Sequence, residues 1–331
     1  MKLPMLLLAV GAMLGASCGE AETPITGQRV RSTGTLLVGN KGENSVSFIE
    51  LGSGTELGRA ATGRMPHEIA ISPDGRQVAV VAYGGQTIDI FDVARRERLR
   101  TIDLAPNQGP HGIAWLEDGH ILATTERSQA LTIVDTRSGD QVSAIATGQQ
   151  GTHMVAVSPD RSRAFTANIA SGTVSVLDLR SRTKLRDIAV GGQPEGIALS
   201  RDGGTLWVGD LEGARVQAFD TASFERLAEV STGEVPIRVA ASPVGRWIVT
   251  SNLGSGSLTI IDARTRAVAR EISVSGSREA AQVTILFSAD GRRIYAAETG
   301  RNQVAEVDFA SGRVLRRLAA GAQGDGLAIA P

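Results

Sequence analysis

Cysteine is almost missing: the 331 residues contain one, Cys18. A single thiol excludes an intramolecular disulfide and any Cys-rich zinc or iron–sulfur site. Aromatic residues are scarce at 4 % (Phe 7, Trp 3, Tyr 2), so a core must be built on aliphatic side chains. Neither sign of charge dominates. Lys and Arg number 34, Asp and Glu 35, and the net charge is −1. That balance gives no global pull toward nucleic acid, and none is expected as a partner. Lysine itself is rare: only Lys2, Lys41 and Lys184 occur, so 31 basic residues are Arg. There is no G-x-S-x-G elbow, P-loop, H-E-x-x-H or C-x-x-C-H. What the chain does have is 42 % hydrophobic residues, too many for a disordered polymer, and 39 Gly. Glycine at about 12 %, against a usual ~7 %, points to many turns and short strands.

The N-terminus reads as an address. Lys2 precedes an apolar stretch, Leu6 to Leu14, of signal-peptide length and too short to span a bilayer. Gly15, Ala16 and Ser17 then lead to Cys18, which resembles a bacterial lipoprotein signal with the cysteine lipidated at the cleavage point. An ordinary secretory signal cleaved near Ser17 or Ala21 is the alternative. The expected division is a signal peptide over 1–17, a polar tether over 18–34 and a folded domain over 35–331. The expected location is the bacterial cell envelope: periplasmic, or anchored to the membrane through lipid on Cys18. No later segment approaches transmembrane length.

Self-comparison gives the architecture. IAISPDG (69–75) recurs as IAWLEDG (113–119), VAVSPDR (155–161), IALSRDG (197–203), VAASPVG (239–245) and ILFSADG (285–291). A second signature, such as IDIFDV (88–93) or VSVLDL (174–179), places acidic residues at Glu50, Asp92, Asp135, Asp178, Asp220, Asp262 and Asp308. Their steps are 42, 43, 43, 42, 42 and 46 residues, the length of one four-stranded propeller blade. Seven copies predict an all-β, seven-bladed β-propeller with four antiparallel strands, A to D, per blade. Small residues recur in strand A (Ala70, Ala114, Ala156, Ala198, Ala240 and Ala328, with Leu286 the exception), as suits crowding around an axis. The chain ends in GLAIAP (326–331), a strand A with nothing after it, while the first repeat lacks one. The C-terminal strand is therefore expected to close the ring on the N-terminal blade.

The SPDG-type turns, the strand ends VGN (38–40), TAN (166–168) and TSN (250–252), and strands such as VSVLDL resemble YVTN-type seven-bladed propellers. That group includes YncE-like and surface-layer-associated proteins, and the likeness covers 35–331. It implies the fold and a binding or scaffold role, without naming a ligand. The Trp-Asp pair that closes strand C in WD-repeat propellers is absent.

In such a ring the D–A and B–C loops share one face. Five places before the strand-A Ser stand His67, His111, His153, Glu195, Ile237, Val283 and Asp325, a polar arc over five blades and an apolar arc over two. Three His with carboxylates are the residue types a divalent metal uses, and an open position would permit hydrolysis. Alternatively, the histidines are copies made by repeat duplication that cap turns or line a wet channel. The strand-B ends (Asn40, Tyr83, Glu126, Asn168, Asp210, Asn252 and Glu298) are expected to turn the chain through left-handed geometry. The insertion SGSREAAQ (275–282) would let Arg278 overhang the mouth. Arginines in the C–D turns and on strand D, such as Arg95, Arg180 and Arg264, read as charged edges that block aggregation, or as contacts to anionic lipid or envelope polymer.

The reading is a monomeric, exported, non-enzymatic binding or scaffold propeller. Its ligand or partner, whether a protein, a small molecule or an envelope polymer, meets the D–A/B–C face around the channel mouth. The candidates are His67, His111, His153, Glu195, Asp325 and Arg278; a divalent metal would use the first five. Two alternatives stay open: a metal-dependent lactonase or lyase, and an accessory protein of a periplasmic redox system.

Overall fold

The computed structural model describes residues 32–331; the expected signal peptide, Cys18 and all but the end of the expected tether lie outside them. Seven four-stranded antiparallel sheets follow one another in sequence order. The second blade is typical: strand A is Pro66–Ile71, B is Gln77–Ala82, C is Thr87–Asp92 and D is Glu97–Asp103. Pro73 and Gly75 make the A–B turn, where Gly75 has φ +73° and its amide donates to the Ser72 carbonyl at 2.8 Å. Asp92 closes strand C by accepting the Arg95 amide at 2.7 Å, which explains the acidic signature as a turn cap.

Each of the seven apolar clusters lies at a seam between adjacent blades. Between the first and second, Leu37, Val46 and Phe48 meet Ile69, Val78 and Phe91. Between the sixth and seventh, Leu258 and Ile260 meet Ile294 and Val307. The small strand-A residues belong to these seams: Ala328 and Ala198 pack against neighbouring blades. Strand D is the outer edge and is largely exposed and charged, as in Thr183–Ala189.

The last strand, Gly324–Ala330, pairs antiparallel with Thr35–Asn40, with Leu37 opposite Ala328 and Thr35 opposite Ala330. The ring is thus closed by the C-terminal strand as the inner member of the first blade. It starts two residues earlier than the sequence pattern suggested, which brings Asp325 into the strand.

All seven inner strands are extended in this way and carry a register shift near their start, as between Pro66 and Ile69 or between Pro236 and Arg238. A bulge breaks the strict alternation of a strand, so successive residues need not take opposite faces. Here it shapes the channel mouth.

Candidate functional site

His67, His111, His153, Glu195 and Asp325 each occupy the second position of an inner strand, so the ring gathers them at one end of the channel. The three imidazoles form a stack. His111 and His153 have ring centroids 3.5 Å apart at 28°, and His67 lies 4.5 Å from His111 at 46°. Tyr83 meets both His67 and His111 edge-on, at 5.1 and 5.5 Å.

The carboxylates divide the work. His153 Nδ1 is 2.8 Å from Glu126 Oε2, and its Nε2 is 3.5 Å from Glu195 Oε1. Asp325 sits at the closure seam, where it accepts from Thr284 Oγ1 at 3.1 Å and pairs with Lys41 Nζ at 2.8 Å. His67 Nδ1 comes within 3.1 Å of the same carboxylate without hydrogen-bond alignment. Arg238 reaches across the channel: Nη2 donates to Glu68 Oε1 of the second blade at 2.7 Å, and Nη1 to Glu195 of the fifth. The His111 ring has no hydrogen-bond partner among the described residues, and its Nδ1 is buried.

These contacts set the charges. Burial holds His67 down at about 4, against the pull of Asp325 and with the help of Lys41 and Arg238. Burial, then the cations His153 and Arg238, keeps His111 well below the usual imidazole range. His153 moves the other way: burial opposes its charge, but the bonds to Glu126 and Glu195 prevail and raise it. Asp325 is buried too, yet Lys41, His67 and Arg238 pull it down to about 2. Burial raises Glu68 even beside Arg238. The mouth therefore holds two neutral imidazoles beside an interlocked set of charges.

Several expectations change here. The five candidates do come together, but their nitrogens and oxygens do not converge on one point. His111 and His153 stack face to face with His67 tilted against them, both His153 nitrogens turn to carboxylates, and Glu195 is committed to Arg238. Among the described residues no group of three or more His, Cys, Asp or Glu is arranged to hold a metal ion. The residues do not fit the divalent metal, and no lactonase or lyase step is derived through one.

The apolar arc is also corrected. Beside Ile237 the bulged strand turns Arg238 inward, and beside Val283 it turns Thr284 inward. Arg278 stays out of the cluster, exposed on a 3-10 turn (Arg278–Ala280) and 3.5 Å from Glu234. The strand-B ends do not supply left-handed geometry: Asn168 has φ −114° and Glu298 φ −93°, and Asn44, Gly172 and Asn302 turn the chain instead. Asn40, Asn168 and Asn252 are buried staples, Asn168 Nδ2 donating to Ser175 Oγ at 2.9 Å. Glu126 and Tyr83 of the same set join the histidines, with Tyr83 Oη donating to Glu126 at 3.3 Å. Sequence reasoning missed Glu68, Arg238, Thr284 and Lys41. An acid and a base one place after the histidine column, at Glu68 and Arg238, were the available signal.

The fold and this mouth define a closed seven-bladed propeller with a polar plug at one end. No protein-family model matches the chain. It is similar to the uncharacterized protein YncE of Salmonella typhi and of Salmonella typhimurium, 26 % identical over 183 residues in each case. Those residues are 54 % of this chain, which spans about half the length of the curated relatives it matches (51 %). With the seven blades, that likeness supports a YncE-like propeller. Among solved structures, a chain of Kuenenia stuttgartiensis hydrazine synthase superposes with TM-score 0.72 and 19 % identity, over 86 % of this chain and 99 % of that one. The dihydro-heme d1 dehydrogenase NirN, in complex with DHE, gives TM-score 0.68 and 16 % identity over 90 % and 75 %. At such identities these two share the fold alone.

Proposed function

We propose that this chain is a non-catalytic binding propeller of the cell envelope, carrying its ligand or partner on the D–A/B–C face. The observation that supports this best is the state of the mouth. Its charged groups are tied to one another across blades, while His67, His153, Lys41 and Glu126 keep 12–22 % of their side-chain surface open on that face. Preorganised polar groups of this kind fix a ligand's orientation.

The test is site-specific photo-crosslinking in intact cells, with a benzophenone side chain at exposed Arg127 beside the mouth or at exposed Arg95 on the opposite face. A discrete adduct from Arg127, lost with His67→Ala/His111→Ala/His153→Ala and not formed from Arg95, is expected. Adducts from Arg95 alone, or from neither position, refute the reading.

A second reading, an accessory role in a periplasmic redox system, rests on the unprotonated imidazoles. NirN is named for a dihydro-heme, and neutral imidazole is an iron ligand for that class of molecule. Hemin titration would then give a Soret shift that disappears in His67→Ala/His111→Ala.

A further inference from the structure

The fourth histidine, His120, lies away from the mouth, at a blade seam that breaks the repeat. In the second, fourth, fifth and seventh blades the A–B turn opens on a Ser whose hydroxyl donates to the turn's Asp at 2.6 Å, as Ser72 does to Asp74. At three seams a turn proline packs on the glycine of the next blade's turn: a Cβ on Gly203 would lie 2.7 Å from Pro159 Cδ, one on Gly75 2.7 Å from Pro331 Cγ and one on Gly291 3.5 Å from Pro243 Cγ. At the seam between the third and fourth blades every one of these features is replaced.

Leu116 stands for Ser, Glu117 for Pro, and Arg161 (φ +58°) for Gly. The turn is also one residue shorter, its closing bond running from the Leu116 amide to His120 rather than across five residues as from Ser72 to Gln77. An ion pair between Glu117 and Arg161 takes the place of the proline–glycine contact. Beside it lies a cleft of about 210 Å³.

The floor of the cleft is apolar: Leu116, Leu122, Ile133 and Leu179. Its rim carries Arg161, Arg180 and Arg182, against one carboxylate, Asp118, which is 3.1 Å from His120 Nδ1. The side chains of Arg180 and Arg182 are exposed and make no hydrogen bond or salt bridge among the described residues; the Arg180 backbone amide donates to Asp178, and its charge acts on that carboxylate from a distance. The clefts at the next two seams are larger, about 420 and 600 Å³, but polar turn residues line them, with Phe165 the one large apolar side chain in the first and none in the second. An apolar floor under unpaired guanidinium groups occurs in this cleft and not in those two.

We propose that this cleft binds a small hydrophobic carboxylate, its ring or short chain on the leucine floor and its carboxylate between Arg180 and Arg182. The volume suits such a molecule, since an apolar cavity of about 150 Å³ accommodates benzene. Arginine is the side chain whose planar fork matches a carboxylate. The site lies on the A–B/C–D face, opposite the histidine cluster, so it stands or falls independently of the function proposed above.

Calorimetric titration of the full chain with phenylacetate, phenylacetamide and inorganic phosphate tests it. Saturable phenylacetate binding in the millimolar range or tighter is expected, with shifts of the His120 ring signals in NMR spectra. Phenylacetamide and the Arg180→Ala/Arg182→Ala variant should each bind about tenfold more weakly, losing the charge-assisted contact. Phosphate alone should not saturate, and Leu116→Trp, which fills the cleft, should abolish binding while circular dichroism confirms the fold. No saturable phenylacetate binding, equal affinity for the amide, or binding unchanged in Leu116→Trp overturns the proposal. So does binding lost only in the His67→Ala/His111→Ala/His153→Ala variant. Should the double arginine variant misfold, the amide comparison and Leu116→Trp still decide.

Discussion

Arg238 lies inside the channel between Glu68 and Glu195, and truncating it leaves buried Glu68 without its salt-bridge partner and Glu195 with His153 alone, 3.5 Å away. Removing one partner of a buried pair typically costs about 3–5 kcal/mol, whereas replacing all partners by apolar groups can be neutral. Arg238→Ala should therefore lower the urea midpoint sharply, and Glu68→Leu/Glu195→Leu/Arg238→Met should recover much of it. The neutral histidines make a second prediction. His67 is held at about 4 in the folded chain but titrates near 6.5 when unfolded, and burial lowers His111 in the same direction. Between those values the unfolded chain binds more protons, so stability is complete above pH 6.5 and falls as pH drops toward 4. His67 alone contributes up to roughly 3 kcal/mol to that slope. His153, raised by Glu126 and Glu195, works oppositely: its contribution is present below pH 6.5 and lost as pH rises through its folded value. Urea melts from pH 4 to 7 should show a steep acid side that flattens in His67→Gln/His111→Gln. An equally steep profile in that variant would assign the slope to other groups. The histidine column was legible because the repeat keeps one offset from the A–B turn in successive blades. Glu68 and Arg238 were not, because an alternating strand puts neighbours on opposite faces and only the bulge brings both to the channel.

At the scale of elements, the closing strand has the greatest leverage. Gly324–Ala330 supplies one side of the first blade and carries Asp325, which meets Lys41 of that blade, His67 of the second and Thr284 of the seventh. Its removal exposes the edge of Thr35–Asn40 together with Leu36 and Leu37, both fully buried in the intact ring. Unpaired hydrophobic edges template aggregation. Deleting Gly326–Pro331 should open the ring and send the chain into aggregates on size-exclusion chromatography, while supplying the missing strand as a peptide should partly restore the elution peak of the intact chain. Strand order and turns were readable from the sequence because the blades repeat similar local chemistry: a turn closed by glycine in most blades and opened by proline in several, and an acidic cap at the end of strand C. Strand ends were less readable. The inner strands run three residues further toward the D–A loops than their apolar core, because beyond the bulge at His67 and Glu68 pairing with strand B resumes, Pro66 lying opposite Ala82.

For the whole molecule, the two faces are chemically distinct and the chain enters on the one away from the histidine cluster. We propose that the chain is exported and lipidated at Cys18. Labelled fatty acid should be incorporated by the wild-type chain and not by Cys18→Ala, and incorporation that persists in the variant refutes the lipid anchor. The sequence by itself determined the number of blades, the order of strands and the way the ring closes, because the repeat period and its turn chemistry are local and are copied seven times. Only the tertiary structure decided how the mouth is charged. Stacking, burial and the reach of Arg238 across the channel join residues from blades far apart in the chain, and those distances leave no trace in spacing. The same holds for the cleft at the third seam, where a one-residue shortening and three substitutions matter only because two blades meet there.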